Sequence, residues 1–190
     1  MRHFAAVLDG ECARRERRIW LEKTPDHLFY IGTIARHLPH ARFVHIIRDG
    51  EEVVTSLRDA ACRHPEWRGQ ADIDHGVERW NRAVRESLRW TGHPQHLLVR
   101  YEGLLQHTEP RLQAVLAFLR ADPRAERRDH AATARDLVAA GQPWKQANFE
   151  PLQDRRRFSH SFPPAERARI LDRLHRIDWT ALAASPGVLA

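Results

Sequence analysis

Apolar positions along this 190-residue chain recur in two rhythms, and the changes between them mark its elements. Arg18 to Lys23 (RIWLEK) is short, apolar and β-compatible, which predicts a strand. Thr24-Pro25-Asp26 reads as a helix start, with Thr24 as N-cap, Pro25 at the first helical position and an acid in the first turn. Leu28, Ile31, Ile34, Ala35 and Leu38 continue at helical spacing until Pro39 ends the run. Ala41 to Arg48 (ARFVHIIR) is a nearly continuous β-type run, the pattern of a strand covered on both faces. Asp49-Gly50 breaks it, and Glu51 and Glu52 stand where acids favour a helix N-terminus. Val53, Val54, Leu57 and Ala61 carry that helix on.

Strand, helix, strand and helix in succession imply βαβ units and a parallel sheet, hence an α/β fold. Asp72 to Trp90 predicts a strongly amphipathic helix whose stripe of Val77, Trp80, Val84 and Leu88 reads as core. His96 to Tyr101 (HLLVRY) predicts a third strand. Thr108 to Leu119 predicts a helix with Thr108 as N-cap and Leu112, Val115, Leu116 and Leu119 inward. From Arg120 to Arg135 the chain turns charged and irregular, with a turn at Asp122-Pro123. Gly141 to Phe158 has no clear period and contains Trp144, Lys145 and Arg155-Arg156-Arg157. A last helix is expected from about Pro164 to Ile177. No internal repeat or low-complexity tract interrupts the chain. One domain is expected over 1–190, with an α/β core at about 18–120 and a mostly helical and loop part at 121–190.

Composition narrows the class. With 42% apolar and 29% charged residues the chain is globular rather than disordered, and no run approaches the roughly 20 apolar residues that span a bilayer. Cys12 and Cys62 make neither a disulfide framework nor a zinc-type spacing, and the first twenty residues do not read as a secretory signal. A cytoplasmic protein is the expectation. The formal net charge of +6 suits an anionic partner. Nearly all the bases are arginine; lysine occurs only at Lys23 and Lys145, which singles out position 23.

In a parallel α/β sheet, ligands bind beyond the carboxyl ends of the strands. Lys23, Arg48 and Tyr101 fall at three such predicted ends. Ser56 lies eight positions after Arg48, about two turns into the following helix. A strand-end arginine and a helical serine facing one crevice can hold a phosphate, through a forked charged donor and a hydroxyl. The alternatives are ordinary ones: a solvated arginine, an idle serine, a packed Tyr101, and Arg155-Arg156-Arg157 as a solvated loop face.

Three blocks in order carry a resemblance. Glu22 to Leu57 (EKTPDHLFYIGTIARHLPHARFVHIIRDGEEVVTSL) resembles the central block of the PAPS-dependent sulfotransferases, closest to their bacterial and tyrosylprotein-sulfotransferase-like branch. Gly76 to Leu88 (GVERWNRAVRESL) resembles the family's W-N-R-A helix, and Leu97 to Leu119 resembles its later strand and helix. The resemblance implies a parallel-sheet, three-layered P-loop-type sulfotransferase fold. It implies transfer of a sulfuryl group from 3′-phosphoadenosine 5′-phosphosulfate (PAPS) to a hydroxyl or amine, with no metal. Arg48 and Ser56 match the pair that binds the donor's 3′-phosphate, Tyr101 a tyrosine near the nucleotide, and Arg157 a late basic element reaching the donor phosphates. Lys23 matches the lysine that neutralises charge on the sulfuryl group or its leaving phosphate.

His27, one turn beyond Lys23, is the candidate acceptor-activating base, set against an exposed helix histidine. The family's first strand and its S-G-T-T turn, whose backbone N–H groups cradle the 5′-phosphosulfate, find no counterpart between Met1 and Trp20. The expectation is therefore a fold missing its first β-loop-α unit, one that holds nucleotide but transfers sulfate slowly if at all and exposes a strand edge to self-association. The alternative function is a non-catalytic nucleotide-binding or interaction protein of the same fold. A nucleic-acid-binding module is disfavoured, because the arginines are dispersed and no basic–aromatic platform stands out.

Overall fold

The computed structural model describes residues 2–64, 72–122 and 156–190. Its helices are α1 (Arg2–Arg14), α2 (Ile31–His37), α3 (Gly50–Arg63), α4 (Ile73–Leu88), α5 (Tyr101–Gln106), α6 (Thr108–Leu119), α7 (Phe158–Ser161), α8 (Pro164–Arg173) and α9 (Trp179–Leu182). A 3₁₀ helix spans Pro25–Tyr30. Three strands, β1 (Phe43–Ile47), β2 (His96–Arg100) and β3 (Val188–Leu189), form a parallel sheet in the order β1-β2-β3. The fold is thus α/β with a small parallel sheet, as the alternation of strand and helix signals predicts. Among the described residues no helix is long and apolar enough to cross a membrane.

The central strand explains the core. β2 is buried along Leu97, Leu98 and Val99, because it is paired on both edges. Against its Leu98 face pack Ile47, Val54, Val77, Trp80, Val84, Phe158, Phe162, Ile170 and Leu174. The α4 stripe of Val77, Trp80 and Val84 therefore does face inward. Trp80 packs on the backbone at Gly50, where an added Cβ would lie 2.8 Å from Leu174 and 3.0 Å from the Trp80 ring. Asn81, beside it, ties down the end of α8: its side chain donates to the Arg173 carbonyl at 2.8 Å and accepts from the His175 N–H at 2.7 Å.

Several sequence expectations are corrected. Residues 18–23 form no strand; no described strand offers them a ladder, and Ile19 and Leu21 (76% exposed) face solvent. Strand-compatible side chains do not make a strand without cross-strand partners. The helix expected from Thr24 to Leu38 is split into the 3₁₀ helix and α2 at Tyr30, whose φ of −119° and ψ of 13° are not helical. Thr24 occupies the N-cap position but spends its hydroxyl on Glu22 Oε1 at 2.6 Å. β1 is covered on one face only: His45 and Ile47 are buried while Ile46 is 60% exposed. Thr108 is the first helical residue of α6, not its cap, and Leu112 is 42% exposed rather than inward. The helix expected from Pro164 to Ile177, α8, stops at Arg173, four residues short, and the short α9 follows it.

α1 and β3 were not legible in the periodicity. β3 depends on Gly187, whose φ is +72°. A Cβ there would come within 2.8 Å of the His96 carbonyl, and the Gly187 carbonyl accepts from Leu98 N–H at 2.8 Å.

At the amino ends of the strands, away from the strand-to-helix turns, His96 is stacked between Phe43 (4.7 Å) and Trp90 (4.4 Å). Its Nδ1 meets His45 Nε2 at 2.9 Å, and His45 Nδ1 meets Ser87 Oγ at 3.2 Å. Burial pushes both imidazoles down to about 4; Glu86 opposes this for His45, while His45 and His93 add to it for His96. In the unfolded chain both take up protons near 6.5. Between pH 6.5 and 4 the unfolded state therefore binds more protons, and stability falls as pH is lowered through that window. Thermal melts from pH 7.5 to 4.5 should show this decline, and His45→Gln should flatten it. Separately, Trp80→Ala should destabilise the protein by about 3–5 kcal/mol in urea unfolding, as deletion of a buried indole does.

Candidate functional site at the strand ends

The parallel register places two residues side by side. β1 and β2 pair from Phe43↔His96 to Ile47↔Arg100, so the next residues across are Arg48 and Tyr101. The Arg48 guanidinium lies over the Tyr101 ring, 5.3 Å from its centroid. The Arg48 carbonyl accepts from Trp80 Nε1–H at 3.1 Å, which fixes the strand end against α4. One residue on, the Asp49 N–H donates to Glu102 Oε1 at 3.0 Å. The buried Glu102 thereby joins the start of α3 to the start of α5, with Arg100 Nε 3.6 Å from its other oxygen. Tyr101 opens α5 rather than ending a strand.

The first three turns of α3 supply the other wall. Glu52, Ser56 and Asp59 stand at i, i+4 and i+7, which is one helix face. Glu52 is only 5% exposed and accepts from the N–H groups of Arg157 and Phe158, each at 3.1 Å, with Arg48 at 3.4 Å. Asp59 receives the Arg157 guanidinium at 2.8 Å. Arg157 is thus held by its backbone at Glu52 and by its head at Asp59, the two acids that flank Ser56 on this face of α3. The Ser56 hydroxyl is half-buried and meets no hydrogen-bond partner among the described residues. Arg157 Nε is buried and has no hydrogen-bond partner among the described residues.

The arrangement offers an anion two guanidiniums, a hydroxyl and an unsatisfied buried donor beside an aromatic ring. It is also rich in acids. Arg100 and Arg156 approach Asp49 at 3.7 and 3.9 Å. Burial, with the charges of Asp49 and Glu52, holds the Glu51 carboxyl above its ordinary range. An anion must therefore compete with Glu52 for Arg48. The 3.4 Å contact between them is a long one, whereas the two backbone N–H groups hold Glu52 at normal distance.

Lys23 and His27 lie elsewhere. Lys23 is exposed on the extended segment before the 3₁₀ helix and makes no ion pair with a described residue. His27 bonds through Nδ1 to Glu22 Oε2 at 2.5 Å. The 3₁₀ helix packs on α4 through Arg79 to Asp26 at 3.0 Å and Arg82 over the Phe29 ring at 4.2 Å. So α4 stands between two groups of candidates, with Trp80 toward the strand ends and Arg79 and Arg82 toward the 3₁₀ helix. Trp144, Lys145 and Arg155 lie outside the described residues.

Sequence reasoning missed Glu52 as the organiser of this site, assigning it only a helix N-terminus. The available signal was a carboxylate one turn before Ser56 on the same face. Glu52→Ala should leave the backbone donors of Arg157 and Phe158 without their acceptor and lower stability by about 3 kcal/mol, since each orphaned buried group costs roughly 1–3. Glu52→Gln, which keeps one acceptor oxygen and so one of the two backbone bonds, should cost less than Glu52→Ala; urea unfolding of both variants checks the order.

Comparison with curated proteins and with solved structures gave no match to this chain. The model of the Sulfotransferase family matches residues 2–126. That stretch is well over half of the chain; it takes in α1 and the Arg48, Ser56 and Tyr101 side of the site. The chain therefore belongs to the sulfotransferase family.

Proposed function

We propose that this chain transfers a sulfuryl group from PAPS to a hydroxyl or amine acceptor, in the manner of the bacterial and tyrosylprotein-like branch of the family. The observation that supports the donor assignment most is the meeting of Arg48 and Arg157 at Glu52, one turn before Ser56 on α3 and beyond the carboxyl ends of parallel strands, where open α/β sheets hold their ligands. In this reading Arg48 and Ser56 bind the 3′-phosphate, and Arg157, with its unsatisfied buried Nε, adds a second guanidinium. Tyr101 packs under Arg48 and limits the directions in which its fork can point.

Lys23 takes the charge-neutralising role. Sulfuryl transfer, like phosphoryl transfer, builds negative charge on the bridging oxygen, and a compact ammonium placed there stabilises it. His27 accepts the acceptor's proton. The donor site is the part that binds without turnover, so it can be tested without knowing the acceptor.

By calorimetry, 3′,5′-ADP should bind more tightly than 5′-AMP. Arg48→Ala should remove most of the preference, a loss of roughly ten- to a hundredfold in affinity for one charge-assisted contact. Ser56→Ala should weaken the same preference and leave the melting temperature nearly unchanged. Equal affinity for the two nucleotides refutes the donor site. Nucleotide preference with no transfer to any acceptor points instead to a binding protein of the same fold.

A further inference from the structure

Glu22 immediately precedes Lys23 in the chain and is bonded to His27, the two residues to which chemistry has been assigned by position. Both its oxygens are engaged: Oε1 by the Thr24 hydroxyl at 2.6 Å and Oε2 by His27 Nδ1 at 2.5 Å. A carboxylate only accepts hydrogen bonds, so Nδ1 must be the protonated nitrogen of this pair, and in the neutral ring Nε2 is left as a free base. The His27 side chain is 44% exposed, and Nε2 meets no partner among the described residues.

The local chain builds this geometry. The extended N-cap conformation of Thr24 (φ −120°, ψ 117°) and Pro25 at the first helical position send the chain into a 3₁₀ turn. That turn brings His27 back over Glu22. It also spends the Thr24 hydroxyl on Glu22, where an α-helical cap would have spent it on a backbone N–H. In a 3₁₀ helix, side chains three apart eclipse. His27 therefore shares its face with Tyr30, and Tyr30, Phe29 and Asp26 form one wall of an open cleft of about 390 Å³ against Arg79 and Arg82 of α4. His27 does not itself line the cleft, which opens one 3₁₀ turn further along, at Tyr30.

We infer that Glu22 is the positioning residue of a Glu22–His27 dyad, fixing the His27 tautomer so that Nε2 takes the proton of the acceptor hydroxyl. The inference rests on the sulfuryl-transfer reading and adds the group that sets its base. In the step, the acceptor O–H bond breaks and its proton passes to His27 Nε2. The oxygen's electron pair forms the new O–S bond. The bond between sulfur and the bridging oxygen breaks, and its electron pair leaves on the 5′-phosphate of 3′,5′-ADP, beside Lys23. The same arrangement explains the state of Glu22. Burial alone would raise its carboxyl, but the hydrogen bonds from Thr24 and His27 outweigh burial and hold it below the ordinary range, ionised and able to accept.

The test reads the tautomer and the reaction separately. With ¹⁵N-labelled histidine at pH 8, and His27→Gln to assign the signals, His27 should show a protonated Nδ1 and a bare Nε2. Glu22→Ala should move it toward the Nε2-protonated form. In single-turnover transfer from labelled PAPS, where slow transfer is enough, Glu22→Ala should lower the rate about a hundredfold, the lower end of what a positioned base contributes. Glu22→Gln, which keeps an acceptor oxygen, should fall between. Affinity for 3′,5′-ADP and the melting temperature should stay unchanged in both variants. A protonated Nε2 in the wild type, or a tautomer indifferent to Glu22→Ala, overturns the dyad. A transfer rate unaffected by Glu22→Ala, or no transfer by the wild type, overturns the base role; retained preference for 3′,5′-ADP then shows that the donor site stands without it. Equal affinity for 3′,5′-ADP and 5′-AMP removes the donor reading and the base role with it, whatever the tautomer.

Discussion

A single buried carboxylate, that of Glu52, holds the candidate donor site together. It stands in the first turn of α3, where the N-terminal helix field favours an acid, and it has almost no contact with solvent. A buried carboxylate is expensive unless its oxygens are occupied. Here they are occupied by two backbone N–H groups from a segment about a hundred residues later and by Arg48 from the preceding strand end. The need to satisfy one acid thus fixes the position of Arg157, brings Phe158 into the core and orients Arg48. Remove it, and the strand end, α3 and the carboxyl-terminal part lose their common anchor.

Helix α4 imposes the second constraint. Its inward stripe seats Trp80 against Gly50, a contact that any side chain at position 50 would disturb. The indole N–H then fixes the carbonyl of Arg48. The opposite arginines, Arg79 and Arg82, hold the 3₁₀ helix that carries His27. One amphipathic helix therefore positions both groups of candidate residues, by packing on one face and by charge and cation–π contact on the other. The donor assignment and the base assignment are tested by different measurements because they depend on different faces of this helix.

The sequence by itself determined the α/β character, the helices α3, α4 and α6, the strands β1 and β2, and the inward face of α4. The helices are local consequences of a 3.6-residue apolar stripe, and the two strands are continuous β-type runs that found partners in each other. The sequence also put Arg48 and Tyr101 just where a strand gives way to a helix, but their lying side by side is set by the register of β1 on β2. Only the tertiary structure decided the rest. Residues 18–23 look like a strand and are not one, since a strand exists only with a neighbour to bond. β3 was invisible because two residues carry no period, and it exists through Gly187 and the exposed edge of β2. Arg157 is brought to α3 by a bond to Glu52 across about a hundred positions, a distance over which spacing carries no information. The Glu22–His27 pair is local but came from a 3₁₀ turn where helical spacing predicted an α-helix, and the change of pitch is what brings the two side chains together.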